Sequence, residues 1–310
     1  METDLLFVHV ETPLHVGSGR GLGGVDLPIQ RERVTNYPIV QGSSLKGRLR
    51  AYLRDSKYNR DDKHPELLAI FGASEGSEDK SYAGAVSVGD ARLLLFPVRS
   101  LSGVFAWVTS RDVLSRFIRD VQPTEIPISW SLPPEPGENE CWVVPNAAVE
   151  ADGKVTLEEF TYTIRKDEQV RRSVETIGDW LANNALPRAS EYGYWQEILS
   201  CHLVILRGDD FRDFALYSTE VTTHIKLVPD TKTVQSGALW TVESLPTDTL
   251  LYAPLVIVDS RTQGSGTKTA AQIKATLRAL HHTRTQLGGD ETTGRGVVML
   301  HFLDESEVKG

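Results

Sequence analysis

The stretch HVGSGRGLGGVDLPIQRE, residues 15–32, decides what kind of fold this chain can have. It follows a run from Leu5 to His15 in which apolar and polar residues alternate, predicting a strand. Gly19, Gly21 and Gly24 carry the spacing of a dinucleotide-binding fingerprint. That fingerprint needs a helix opening on its glycines, inside a βαβ unit. Here Pro28 and β-branched neighbours follow, so nothing helical starts and the Rossmann reading fails. What remains is an irregular glycine-rich excursion with one carboxylate, Asp26, near its end.

The chain then enters YPIVQGSSLKGRLRAYLRD, residues 37–55. Ser43 and Ser44 are N-cap residue types, and Leu45, Leu49, Tyr52 and Leu53 recur at helical spacing, predicting a helix from about Ser44 to Asp55. The segment is not a Walker A loop, because no Lys-Ser/Thr pair follows its second glycine. It does place hydroxyls and free N–H groups at a helix start, an anion site. Lys46, Arg50 and Arg54 form one stripe, and residues 42–60 hold six Lys/Arg against one Asp. A solvated helix face is the bland reading of such a stripe. The serine-glycine start favours phosphate binding by Gly42, Ser43, Ser44, Lys46 and Arg50.

Further out, strands and helices alternate. A short helix fits HPELLAIFG (64–72), a polar insert follows at Gly76–Lys80, strands fit 83–98 and 103–109, and a helix fits 110–121. Residues 123–140, with five prolines, read as a surface excursion. Strands at 141–145 and 155–164, a helix around 171–184, a strand at 201–207 and a short helix at 209–218 come next. Asp209 and Asp210 suit that last helix's N-terminus. Residues 221–245 predict a β-hairpin with the polar tip LVPDTKT. A strand at 249–259, a helix from Ala270 to Leu287, the loop GGDETTGRG (288–296) and a final strand close the chain. His281 and His282, adjacent on that helix, would point apart and read as structural. The loop's four glycines exceed what one turn needs, so backbone approaching a ligand is expected there, nominating Gly289 and Arg295. The pattern is an α+β sheet with helices on one face and no linker.

Composition narrows the classes. The chain has 310 residues, 33 basic against 42 acidic, net charge −9, and 40% hydrophobic residues, a globular profile. Cys141 and Cys201 match no zinc or redox spacing, pointing to a reducing, cytoplasmic compartment. METDLLFVHVETP lacks a basic n-region, and no apolar run reaches the ~20 residues that span a bilayer, so no membrane is expected. The acidic balance argues against a free-standing nucleic-acid binder.

Five stretches together are similar to the RAMP superfamily of CRISPR proteins, and within it to the backbone subunits of type III-B (Cmr) RNA-targeting complexes. They are TPLHVGSGRGLGGVDLPIQRE (12–32), YPIVQGSSLKGRLR (37–50), DARLLLFPVRSLSGVFAWVT (90–109), KTVQSGALWTVESLPTDTLLY (232–252) and LGGDETTGRG (287–296). The resemblance implies a single RAMP domain over residues 1–310: a ferredoxin-like, RRM-type palm with inserted fingers and a thumb hairpin at about 221–245. It implies copies stacked along a guide crRNA, further Cmr subunits as partners, and a complementary target RNA cut at regular intervals with a divalent metal, Mg²⁺ or Mn²⁺. A filament subunit can keep a local basic track on an acidic body, because phosphates sense charge within about a Debye length. Asp26 aligns with the family's aspartate required for target cleavage, as metal ligand or general base. His15 is a candidate to orient or protonate a phosphate oxygen, with strand-end packing as its equal alternative. Glu243, on the implied thumb, is a candidate second carboxylate reaching a neighbouring subunit. A non-catalytic guide-RNA scaffold and a metal-independent guide-processing endonuclease using His15 are the alternative functions.

Overall fold

The structure is a computed structural model that describes residues 1–21, 23–73, 83–261 and 266–303; the polar insert expected at Gly76–Lys80 lies outside them. In chain order the elements are β1 (Glu2–Val10), β2 (Ile39–Val40), α1 (Gly42–Lys57), α2 (Pro65–Phe71), β3 (Val86–Val88), β4 (Ala91–Arg99), β5 (Phe105–Ser110), α3 (Arg111–Val121), β6 (Glu140–Val143), β7 (Lys154–Leu157), β8 (Phe160–Ile164), α4 (Glu168–Asn184), α5 (Gly193–His202), β9 (Leu203–Leu206), α6 (Gly208–Tyr217), β10 (Glu220–Leu227), β11 (Val234–Ser244), β12 (Leu250–Ile257), α7 (Ala270–Arg278), β13 (Thr283–Gln286) and β14 (Val297–Phe302).

The scaffold is the antiparallel order β14-β1-β12-β4. With α1 between β1 and β4, and α7 between β12 and β14, this is a βαββαβ unit in strand order 4-1-3-2, the ferredoxin-like palm. β1 is its centre: Leu5, Leu6, Phe7, Val8 and Val10 are fully buried. α1 adds Leu45, Leu49 and Leu53 to the core and α7 adds Ile273 and Leu277, each at helical spacing. α7 starts on a capping box formed by Thr269 and Gln272. Between β4 and β12 the chain departs to build the fingers. These extend the same sheet through β5, β9, β6, β8 and β7, then return through α6 and the separate two-stranded β10–β11 hairpin. The expected α+β class, inserted fingers and hairpin are all present.

Four expectations change. β1 ends at Val10, short of His15, because Pro13 has no N–H to continue the ladder and Leu14 pairs instead with Leu245. The proline-rich segment is not only surface: Ile126 and Trp130 are buried. Trp130 lies parallel to Phe117 (centroids 6.5 Å apart) and edge-on to Trp180. α5, packed before β9, has no counterpart in the sequence reading. The predicted helix to Leu287 stops at Arg278, because the chain turns with His282 at φ 55° and Thr283–Gln286 pair with β14 as a strand. His281 and His282 therefore sit on a turn, with ring centroids 3.8 Å apart, rather than on a helix pointing apart.

Because Trp130 fills a three-ring aromatic cluster, Trp130→Ala should lower the unfolding free energy by about 3–5 kcal/mol in urea titration. A loss under about 0.5 kcal/mol, the usual size for exposed sites, would return this segment to the surface.

Candidate functional site

The glycine-rich excursion is a closed loop docked on the base of the hairpin. Its ends meet where Gly17 bridges Ile29, Ser18 N–H donates to Pro28 O (3.0 Å) and Gln30 N–H to Val16 O (2.8 Å). Its outgoing arm runs beside β11: Leu27 N–H donates to Thr241 O and Glu243 N–H to Leu27 O, both 3.0 Å. Asp26 is thereby pinned next to Thr241. Its Oδ2 accepts from Thr241 N–H (2.8 Å) and from Thr241 Oγ1 (2.9 Å). Those two donors, backbone first, hold its carboxyl below the usual aspartate range, and the Arg20 guanidinium adds to the effect. Oδ1 makes no hydrogen bond among the described residues, and the side chain is exposed. An ionised carboxylate is thus presented with one oxygen engaged and one open. Arg20, Asp26, Leu239 and Trp240 line a cleft of ≈ 490 Å³ between loop and hairpin.

Glu243 does something other than the chemistry expected of it. It is 6% exposed. Its Oε1 pairs with Arg31 (2.5 Å) and accepts from Thr219 Oγ1 (2.8 Å), and its Oε2 accepts from Ile29 N–H (3.0 Å). Arg31 also donates to the carbonyls of Asn36 and Ala215, both at 2.9 Å. Every oxygen of Glu243 is consumed inside its own chain, so it reaches no neighbour, and the catalytic expectation for it is corrected. His15 also faces inward: its Nδ1–H donates to Glu243 O (2.6 Å). Its ring occupies the place a side chain at Gly17 would need. The structure joins His15 to Glu243, and Asp26 to Thr241.

The second glycine loop braces the first. Gly289 N–H donates to His15 O (2.8 Å) and Gly296 N–H to Pro13 O (2.9 Å). A Cβ on Gly288 would stand 2.2 Å from His15 O, and one on Gly296 2.0 Å from Leu287 O; both residues have φ +74°. Gly288 and Gly296 thus serve close approach to protein backbone and not to a ligand, which accounts for two of the loop's four glycines. Arg295 reaches Ser244 Oγ and Thr222 Oγ1, both 3.2 Å, and ties this loop to the hairpin base.

On α1 the N-cap is Gln41, without a side-chain cap, in place of Ser43 or Ser44. Gly42 is buried, its N–H bonds Asp90 Oδ1 (2.8 Å), and a Cβ there would meet Val88 O at 2.3 Å, so its role is packing and not RNA contact. Ser43 and Ser44 are exposed. Lys46 Nζ donates to Val86 O (2.9 Å), and burial pushes its pKa down. Arg50 donates to Asp62 O (3.1 Å), and Arg54 pairs with Asp55 and Asp62. The basic stripe is largely satisfied within the protein.

Sequence reading missed Thr241, Arg20 and the Trp240–His224 pair, whose rings stack 5.7 Å apart at 14° on the hairpin. Thr241 lies 215 positions from Asp26, and no local signal joins them.

The buried Arg31–Glu243 pair generates a stability prediction. Glu243→Gln removes the charge and leaves Arg31 uncompensated, which should cost about 3 kcal/mol and speed limited proteolysis at the hairpin. Unchanged denaturation and cleavage rates would show that Glu243 is not the tether.

Comparison with known proteins agrees with this geometry. The sequence model of the RAMP superfamily matches residues 7–298. The chain is 37% identical over 299 residues to the CRISPR system Cmr endoribonuclease Cmr4 of Pyrococcus furiosus, covering 96% of this chain and 95% of that protein. It is 27% identical to the CRISPR system CMR subunit Cmr4 of Saccharolobus solfataricus, covering 96% of each. The crystal structure of oligomeric Cmr4 from Pyrococcus furiosus superposes with a TM-score of 0.73 at 31% identity, covering 98% of this chain and 99% of that one. A palm with its middle connection expanded into fingers and a hairpin, and matches over nearly the whole length, lead to one assignment: this chain belongs to the RAMP superfamily, in its Cmr4 family.

Proposed function

We propose that this chain is the repeating backbone subunit of a type III-B CRISPR effector complex. Copies form a single-domain filament on a guide crRNA, alongside other Cmr subunits, and each cuts a complementary target RNA. The observation that carries the reading is Asp26: an ionised, half-open carboxylate at the foot of an exposed hairpin, on a loop braced from both sides. The Pyrococcus relative named as an endoribonuclease supports it. Apolar Val221, Ile225, Leu227, Val234 and Leu239 stay exposed on the hairpin, suiting it to insert between stacked bases.

In the proposed reaction a target 2′-hydroxyl attacks the adjacent phosphate, its O–P bond forming as the bond to the 5′-oxygen breaks. Asp26 Oδ1 orients the 2′-hydroxyl or takes its proton, the departing 5′-oxygen takes a proton from water and leaves as a 5′-hydroxyl, and Arg20 offers charge to the phosphate. A base acting near pH 7 works best with a pKa near 7. Thr241 pushes Asp26 the other way, which favours orienting and ligand duty over proton abstraction. Asp26 would hold Mg²⁺ or Mn²⁺ through its open Oδ1, an oxygen donor of the kind these hard cations take. When bound, such an ion would neutralise charge developing at the scissile phosphate. On α1, exposed Ser43 and Ser44 are the groups best placed to meet guide phosphates, and Lys46 and Arg50 serve less.

Asp26→Asn should reduce target cleavage by the assembled complex about 10²-fold or more, with assembly and target binding near normal, and EDTA should abolish cutting by the wild type. Retained cutting by complexes carrying Asp26→Asn would leave a guide-RNA scaffold as the function. Thr241→Val removes one of the two donors that depress the Asp26 pKa. The acid limb of the pH–rate profile, where the carboxylate protonates as pH falls, should then move up toward the ordinary aspartate value. An unmoved limb would mean that the observed titration belongs to another group.

A further inference from the structure

Outside the Asp26 loop, one cluster of ligating side chains converges among the described residues: His281, His282 and His301, with one ring nitrogen from each within 4.8 Å of the others. One hydrogen bond fixes the tautomer of His301. His301 Nε2 faces the carbonyl of Asn184 at 3.0 Å, so it carries the proton and Nδ1 carries a lone pair. His282 Nε2 and His301 Nδ1 face each other at 3.1 Å. His282 Nε2 also lies 3.2 Å from the backbone nitrogen of Arg188. A single proton makes the histidine contact an imidazole–imidazole hydrogen bond, and a divalent cation bound by both nitrogens, one of them on a residue 2% exposed, would take that proton's place.

Tetrahedral zinc, with Zn–N bonds of about 2.0–2.1 Å, sets its ligand nitrogens roughly 3.3 Å apart. The observed pair already has that spacing. The His301 Nε2–H bond to a main-chain carbonyl is the outer contact that metal-ligating histidines usually make. We propose that His281, His282 and His301 bind one divalent transition-metal ion of the Zn²⁺ class, with water in the fourth position. Two adjustments go with it. The ion replaces the proton between His282 Nε2 and His301 Nδ1, and His281 exchanges the bond its Nδ1 accepts from Phe302 N–H (3.0 Å) for a metal bond. The ion would clamp the turn after α7 to the end of β14. Its residues are separate from the Asp26 loop, so the site stands or falls apart from the cleavage reading.

The test uses the full chain, stripped with chelator, dialysed metal-free, and titrated with Zn²⁺ and with Co²⁺. Expected are one Zn²⁺ per chain by elemental analysis, a rise in melting temperature, and the strong visible absorption of tetrahedral Co²⁺. His282→Asn should weaken Zn²⁺ binding tenfold or more, while Asp26→Asn binds as the wild type does. Asn tolerates the positive φ of position 282, so that variant keeps the fold even if His301→Gln does not. Failure to bind stoichiometrically, weak octahedral Co²⁺ absorption, or equal affinity in His282→Asn would each overturn the site, the last by showing an adventitious ion elsewhere.

Discussion

The Arg31–Glu243 ion pair holds together three segments that are far apart in sequence. Glu243 comes from the hairpin base, Arg31 from the end of the glycine-rich excursion, and Arg31 in turn bonds Ala215 O near the end of α6. A buried charge is costly unless its partners saturate it. Here Glu243 receives Arg31, Thr219 Oγ1 and Ile29 N–H, so both of its oxygens are spent. An arrangement satisfied at every atom leaves the hairpin one way to leave the body of the protein. That fixed exit sets the strand position of Thr241, two residues away, and Thr241 positions Asp26.

Charge follows the same logic on the larger scale. A net charge of −9 is unpromising for an RNA-binding surface. Much of the acidity is spent internally: Asp62 and Asp55 take Arg54, Asp120 takes Arg92, and Asp4 takes Arg278. The basic stripe of α1 is spent in the same way. A count of charges therefore predicts the RNA surface poorly in either direction. The informative groups are those left open, such as Arg20 and Asp26 in the cleft below the hairpin.

How much of this was readable in the sequence depended on range. The α1 stripe, the start of α7 at Ala270 and the hairpin with its polar tip are local patterns, and they appear where the sequence pattern placed them. Asp26 was readable through the motif around it. The role of Glu243 was not, because a carboxylate on a strand looks the same whether it faces solvent or a guanidinium 212 positions away. The helix expected to reach Leu287 failed for a related reason: Thr283 and Thr285 can be helical or extended, and pairing with β14 decides. In the proline-rich segment, turn chemistry predicted irregular backbone correctly, but irregular backbone still delivered Trp130 to the core.

The bracing of the loop also explains why Asp26 is free of structural duty. The excursion is held from the hairpin side by Leu27 and Ile29, and from the C-terminal side where Gly289 N–H meets His15 O. Gly288 and Gly296 permit that second contact, since a side chain at either would collide with a carbonyl. Asp26 uses only Thr241 and makes no ion pair that supports the core. Its neighbours carry the load, so its second oxygen can face the cleft. Bonds shared between distant segments fix the loop's shape, and among the described residues Asp26 keeps its Oδ1 outside that network.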